Sequence, residues 1–157
     1  MSRFARTTAS NSSPPSQIMK AQPHERFSET MRLTPEGVSA FARAAGDTNP
    51  LHHDPAVAAR TRYGRLIASG TQTIAHLMAL GARHFSERGD MVGLDFSFRF
   101  KKPIYADETI EMEWLVIRVE NAPHLKGDVI EMRGRIRNQA GETALGAKGR
   151  VLVADKL

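Results

Sequence analysis

In the stretch TQTIAHLMALGARHFSERGDMVGLDFSFRFK, residues 71–101, the spacing of apolar side chains changes once, at Gly89. Before it, Ile74, Ala75, Leu77, Met78, Ala79, Leu80, Ala82 and Phe85 cover most of the circumference of a helix running from Thr71 to about Arg88. A helix that is apolar nearly all round is buried rather than laid on a surface. After Gly89, Val92, Leu94, Phe96, Phe98 and Phe100 alternate with Asp95, Ser97, Arg99 and Lys101, the period-two pattern of a strand with one buried face. Further strands are expected over about Glu108 to Glu120, Gly127 to Asn138 and Glu142 to Val153, separated by turn signals at Asn121-Ala122-Pro123 and Gln139-Ala140-Gly141. One buried helix followed by long antiparallel strands makes an α+β architecture in which the sheet wraps the helix.

Upstream, a strand is expected from about Arg26 to Leu33. Thr34-Pro35-Glu36 then supplies an N-cap, a proline at the first helical position and an early acid, which together start a helix. Val38, Phe41, Ala42 and Ala45 form its apolar stripe, and Gly46 ends it where a left-handed residue is easiest. Asp54-Pro55 repeats the start signal for a short Ala-rich helix to about Arg60, closed by Tyr63-Gly64.

The chain of 157 residues is long enough for one domain with a full core and too short for two ordinary ones. The domain is assigned to residues 25–157. Residues 1–24, rich in Ser, Thr, Pro and Asn with no acid before Glu25, read as a flexible tail. An Arg-containing, acid-poor leader also fits an organellar transit peptide, but Pro14-Pro15 interrupts any amphipathic helix; a cytoplasmic location is expected, with an organellar matrix as the alternative. With 41% hydrophobic and 25% charged residues the body is neither disordered nor fibrous. No apolar run approaches the roughly 18 residues of a membrane-spanning helix, and no membrane partner is expected. Cysteine is absent, which removes disulfides and thiolate metal sites. The net charge of +5 favours an anionic partner. No helix-turn-helix, zinc-finger or ribonucleoprotein motif is present, so a phosphate-bearing small molecule is preferred to nucleic acid.

The densest polar cluster is Gly46-Asp47-Thr48-Asn49-Pro50-Leu51-His52-His53-Asp54. Pro50 disfavours helix at Asn49 and lacks an N–H, so the chain turns between Asp47 and His52 and can bring their side chains together. A carboxylate and an imidazole converging on one water can serve as general acid and base. Each residue also has a plainer reading. Asp47 can build an Asx turn, His52 can be a hydrogen-bonded core histidine, His53 a solvated or structural one, and Asn49 a turn-builder.

Asp47, Asn49-Pro50-Leu51-His52 and Asp54-Pro55, followed by Leu66-Ile67-Ala68-Ser69-Gly70 at the start of the long helix, resemble the hydratase motif of the MaoC-like dehydratase and (R)-specific enoyl-coenzyme A hydratase family. Phe98-Arg99-Phe100-Lys101-Lys102-Pro103-Ile104 and Asp107-Glu108 resemble that family's next strand and turn, so the likeness spans about Glu25 to Val153. The resemblance implies a hot-dog fold, a homodimer, and reversible addition of water to a trans-2-enoyl thioester with (R) stereochemistry. Asp47 and His52 would hold the water, and the Gly70 N–H would bind the thioester oxygen. No metal and no cofactor beyond the carrier on the substrate are implied, the carrier being coenzyme A or an acyl-carrier protein. Two departures stand out: Ser69 where many members have His, and Ala106 where Gly is usual.

Asn49 and Ser69 are further candidates for substrate contact, although Ser69 can instead cap the long helix through its hydroxyl. Arg62, Arg65, Lys101 and Lys102 are the candidate phosphate contacts, whereas Arg133, Arg135 and Arg137 read as one solvated strand face and Phe96, Phe98 and Phe100 as core. Asp47, His52, His53 and Asp54 match no metal-ligand spacing. Two rival functions remain: a thioesterase of the same fold, and a non-catalytic acyl-binding or assembly subunit.

Overall fold

The computed structural model of the protein describes residues 19–157. In chain order the elements are β1 (Arg26–Arg32), α1 (Pro35–Ala44), α2 (Pro55–Ala59), α3 (Gly70–Ser86), β2 (Asp90–Phe100), β3 (Thr109–Ala122), β4 (Gly127–Arg137) and β5 (Thr143–Ala154), with single 3₁₀ turns at Pro50–His52 and Pro123–Leu125. The strands form one antiparallel sheet in the order β1-β3-β4-β5-β2, and α3 packs against β1, β2, β3 and β4. The expected α+β arrangement, a long sheet wrapped on one helix, is the observed one.

Local chemistry explains the helix starts. Thr34 Oγ1 accepts the Gly37 N–H at 3.1 Å, and Asp54 Oδ1 accepts those of Ala56 and Val57 at 2.9 and 3.1 Å. Gly46, at φ +76°, turns the chain out of α1 toward the site. Val38 and Ala42 of α1 are buried and Phe41 is half-buried, but Ala45 is the exposed C-cap, outside the stripe that the sequence assigns to it.

Leu77 and Phe85 of α3 are wholly buried, as are Ile110, Met112, Trp114 and Val116 of β3, Ile130 and Ile136 of β4, and Val151 and Val153 of β5. Trp114 joins the two layers: its Nε1–H donates to the Leu77 carbonyl at 2.7 Å. Its ring lies against β4 only because Gly134 has no side chain, since a Cβ there would sit 2.6 Å from the indole.

β2 departs from the sequence reading. The pairing with β5 shifts between Gly93 and Asp95, leaving Leu94 as the extra residue of a bulge. The bulge reverses the alternation, so Val92 leaves the face that carries Phe96, and Val92 and Leu94 are exposed at an outer edge of the sheet. Phe100 keeps the inner phase but lies beyond the core, 57% exposed.

The expectation of a flexible tail over residues 1–24 lies outside the described residues as far as residue 18. From there the chain is fastened: Ala21 is buried, and the Lys20 N–H donates to Asp128 at 2.7 Å. Glu25 then clamps β1 to the end of α3, accepting from Arg88 at 2.5 and 3.0 Å and from His84 at 2.6 Å, while the His84 ring stacks on Phe27 at 3.7 Å. The Arg88 hydrogen bonds, helped by His84 and opposed by partial burial, bring the Glu25 carboxyl from 4.5 down to about 2. A carboxylate depressed on folding adds stability that is complete above its unfolded value and is lost as pH falls from 4.5 toward about 2. Glu25→Gln should therefore destabilise the protein by about 1 kcal/mol at neutral pH. Thermal melts should show the gap to wild type closing through that acid window; a gap independent of pH would refute the ionic clamp.

Among the described residues no helix is long and apolar enough to cross a membrane.

Candidate active site

Asp47 follows the glycine that ends α1, and its N–H bonds the Ala42 carbonyl at 2.8 Å. Its two carboxylate oxygens have separate tasks. Oδ1 accepts the Asn49 N–H at 2.9 Å, closing an Asx turn, and Oδ2 lies 3.4 Å from His52 Nε2. The other ring nitrogen of His52, Nδ1, is 2.8 Å from the Ile67 carbonyl. A carbonyl only accepts, so Nδ1 carries a hydrogen, and a neutral ring then turns its Nε2 lone pair toward Asp47. His52 is buried while the Asp47 side chain is 30% exposed, which puts the pair at the boundary between core and solvent.

The plainer and the chemical readings of this loop thus coexist. Asn49 builds the turn, its Oδ1 accepting the Leu51 N–H at 3.1 Å. His53 braces it: Nε2 donates to the Asp47 carbonyl at 2.7 Å, and Nδ1 accepts from the Ser39 hydroxyl of α1, also at 2.7 Å. Asp54 caps α2. The two imidazoles serve different carbonyls, their centroids 6.4 Å apart.

A cavity of about 720 Å³ opens beside His52. Its lining includes Gly70, Thr73, Ile104 and Leu145 inside and Arg62, Tyr63, Lys101, Lys102 and Tyr105 nearer the mouth. Gly70 is the first residue of α3, and among the described residues nothing accepts its N–H. A helix N-terminus presents such unpaired N–H groups and a partial positive charge. The Phe100 ring lies 2.8 Å from where a Cβ on residue 70 would be, so glycine lets the aromatic ring close over the helix start. A smaller cavity of about 270 Å³ is lined by Arg43, Gly46, Asp47, Thr48 and His53 and shares no residue with the lining of the large one.

The remaining candidates divide. Ser69 is buried and its Oγ accepts the Gln72 N–H at 3.1 Å, so its hydroxyl caps α3. Neither Ser69 nor Asn49 lines the large cavity. Arg65 also stands outside that lining, stacked 3.9 Å above Tyr105 and 3.7 Å from Asp107. Arg62 donates to the Tyr63 hydroxyl at 3.0 Å, and Lys102 pairs with Glu142. Lys101 has no ion pair among the described residues. Burial raises the carboxyl of Glu108, which accepts the Tyr105 N–H in the turn behind the mouth. The sequence reading missed Tyr63, Thr73 and Tyr105 as lining residues and the Ser39–His53 brace. Only Tyr63, in a turn close to the motif, carried any local signal.

A long antiparallel sheet curled on one helix, with an acid and an imidazole meeting near that helix's N-terminus, places the molecule among hot-dog domains. The chain belongs to the MaoC-like domain family, which matches residues 19–133. It is 33% identical over 110 residues to the (R)-specific enoyl-CoA hydratase of Aeromonas caviae, covering 69% of this chain and 77% of that one. It is 28% identical over 116 residues to a UPF0336 protein of Streptomyces avermitilis, covering 68% and 74%. The solved structure of the A. caviae (R)-hydratase involved in PHA biosynthesis superposes with a TM-score of 0.77 at 25% identity, over 85% of this chain and 97% of that one.

Proposed function

We propose that the protein adds water reversibly to the double bond of a trans-2-enoyl thioester, giving the 3-hydroxyacyl thioester. The observation that carries this reading is the 3.4 Å separation of Asp47 Oδ2 and His52 Nε2, with His52 lining the same cavity as Gly70, whose N–H has no acceptor among the described residues. One water can donate to both acceptors, leaving its oxygen lone pair for C3. Attack forms the C3–O bond, a proton passes to the Asp47–His52 pair, and electrons move through C2 to the thioester oxygen. The Gly70 N–H meets that developing negative charge. Return of the proton to C2 completes addition of one H₂O, and the reverse sequence is dehydration. The protein holds and moves the proton with its own side chains, and coenzyme A or an acyl-carrier protein enters only as part of the substrate. Lys101, Lys102 and Arg62 at the mouth suit the carrier's phosphates.

Crotonyl-coenzyme A tests the reading. A hydratase removes the enoyl absorbance without releasing thiol, a thioesterase releases thiol, and an acyl-binding subunit does neither; only the first result sustains the proposal.

Gly70→Ala should fold, because Phe100 is exposed and its ring can swing away, and should lower turnover by about 10- to 100-fold as the donor is obstructed. Wild-type turnover in a folded Gly70→Ala variant would remove Gly70 from the mechanism.

The homodimer is also part of the proposal. β2 leaves an open hydrogen-bonding edge with Val92 and Leu94 exposed on it, a surface suited to a second copy. Sedimentation should give a dimer that Leu94→Lys weakens, and a monomeric wild type would exclude it.

A further inference from the structure

The outer face of the sheet is charged, and its charges are not evenly answered. In the row Glu131, Arg150, Asp95 across β4, β5 and β2, Arg150 lies 3.0 Å from Asp95 and 3.9 Å from Glu131. The next row toward the cavity is Arg133, Lys148, Ser97, in which two cations face each other across neighbouring strands with no acid between. In the row after that, Arg135 is 3.0 Å from Glu113, whereas Arg99 has no acid. Lys101 follows, its side chain passing 3.7 Å from where a Cβ on Gly146 would stand, and it lines the cavity mouth. Arg133, Lys148, Arg99 and Lys101 are all exposed, and none has an ion pair among the described residues.

Like charges placed directly opposite on adjacent strands destabilise a sheet, so this arrangement contributes nothing to the fold. At strand spacings of about 5 Å and rises of about 3.4 Å per residue, the track covers roughly 10 Å by 14 Å. Lys101 can reach a phosphate at the cavity mouth, but Arg133 on β4 lies two strands further across, which suits a macromolecular surface better than a single small ligand. The track contains no aromatic side chain on which a nucleic-acid base could stack.

We propose that this cationic track docks an acidic acyl-carrier protein, which presents its thioester-linked acyl group to the adjoining cavity. The proposal rests on the thioester reading above and names the carrier it would use. Charge complementarity orients the carrier, and continuity through Lys101 aims its flexible prosthetic arm at His52 and Gly70.

The test compares crotonyl-coenzyme A with a crotonylated acidic bacterial acyl-carrier protein, using wild type and an Arg133→Glu, Lys148→Glu double variant whose melting temperature is checked first. In the variant, kcat/KM should fall about 10- to 100-fold for the carrier-linked substrate and stay within about twofold for crotonyl-coenzyme A. Added salt should depress the carrier reaction of wild type and leave that of the variant nearly flat. Equal effects on both substrates, or none on either, overturn the docking site. Calorimetric titration with the unacylated carrier reads docking without chemistry: binding that survives in the variant overturns it. Binding lost in the variant supports it, even if neither thioester turns over, which would defeat only the hydratase reading. Wild type binding a DNA duplex but not the carrier would replace the proposed partner.

Discussion

Asp47→Ala and His52→Ala are each expected to lower turnover on an enoyl thioester by about two to four orders of magnitude. Asp47 Oδ2 and His52 Nε2 lie 3.4 Å apart, and on the proposed reading both accept from one water beside them, so either loss leaves that water held by one acceptor and the proton relay incomplete. Groups that act as a unit do not add, and the double variant should be little worse than the poorer single one. His53→Ala separates chemistry from support. Its ring bonds the backbone of Asp47 and the hydroxyl of Ser39 rather than the Asp47–His52 pair, so its loss should cost less than about tenfold, below what a positioned acid or base contributes. Steady-state kinetics on crotonyl-coenzyme A decides. Full activity in Asp47→Ala or His52→Ala defeats the assignment, and an equal loss in His53→Ala moves the role to the other imidazole.

The largest effect on stability is expected at Trp114. Trp114→Ala removes a wholly buried indole between α3 and β4 and should destabilise the fold by about 3–5 kcal/mol. Trp114→Phe keeps much of the packing and loses the bond to the Leu77 carbonyl, adding about 1 kcal/mol to whatever the smaller ring costs. Urea unfolding followed by circular dichroism measures both. A loss below about 1 kcal/mol for Trp114→Ala would show that the helix–sheet contact is held elsewhere.

The fold was legible in the sequence where one period dominates a long segment. The apolar circumference of Leu77, Leu80 and Phe85 and the alternation in β3, β4 and β5 are such signals, and α3 and the strands end within a few residues of expectation. β2 was misread because one extra residue, Leu94, shifts the phase, and a bulge leaves no mark in a list of alternating apolar residues. In the site, Asp47 and His52 could be paired because proline forces the turn between them. The Ser39–His53 brace could not, because it joins residues brought together by the angle between α1 and the loop. The phosphate candidates were chosen by charge, whereas their freedom depends on Glu142, Asp107 and Tyr105, whose positions only the folded chain reveals.

The small hollow behind Asp47 bears on turnover. His52 borders the large chamber, whereas Asp47 borders the hollow shared with Arg43, Gly46, Thr48 and His53. On the proposed reading, an acyl chain filling the first chamber leaves the second clear, and water has a route to Asp47 separate from the one the lipid takes.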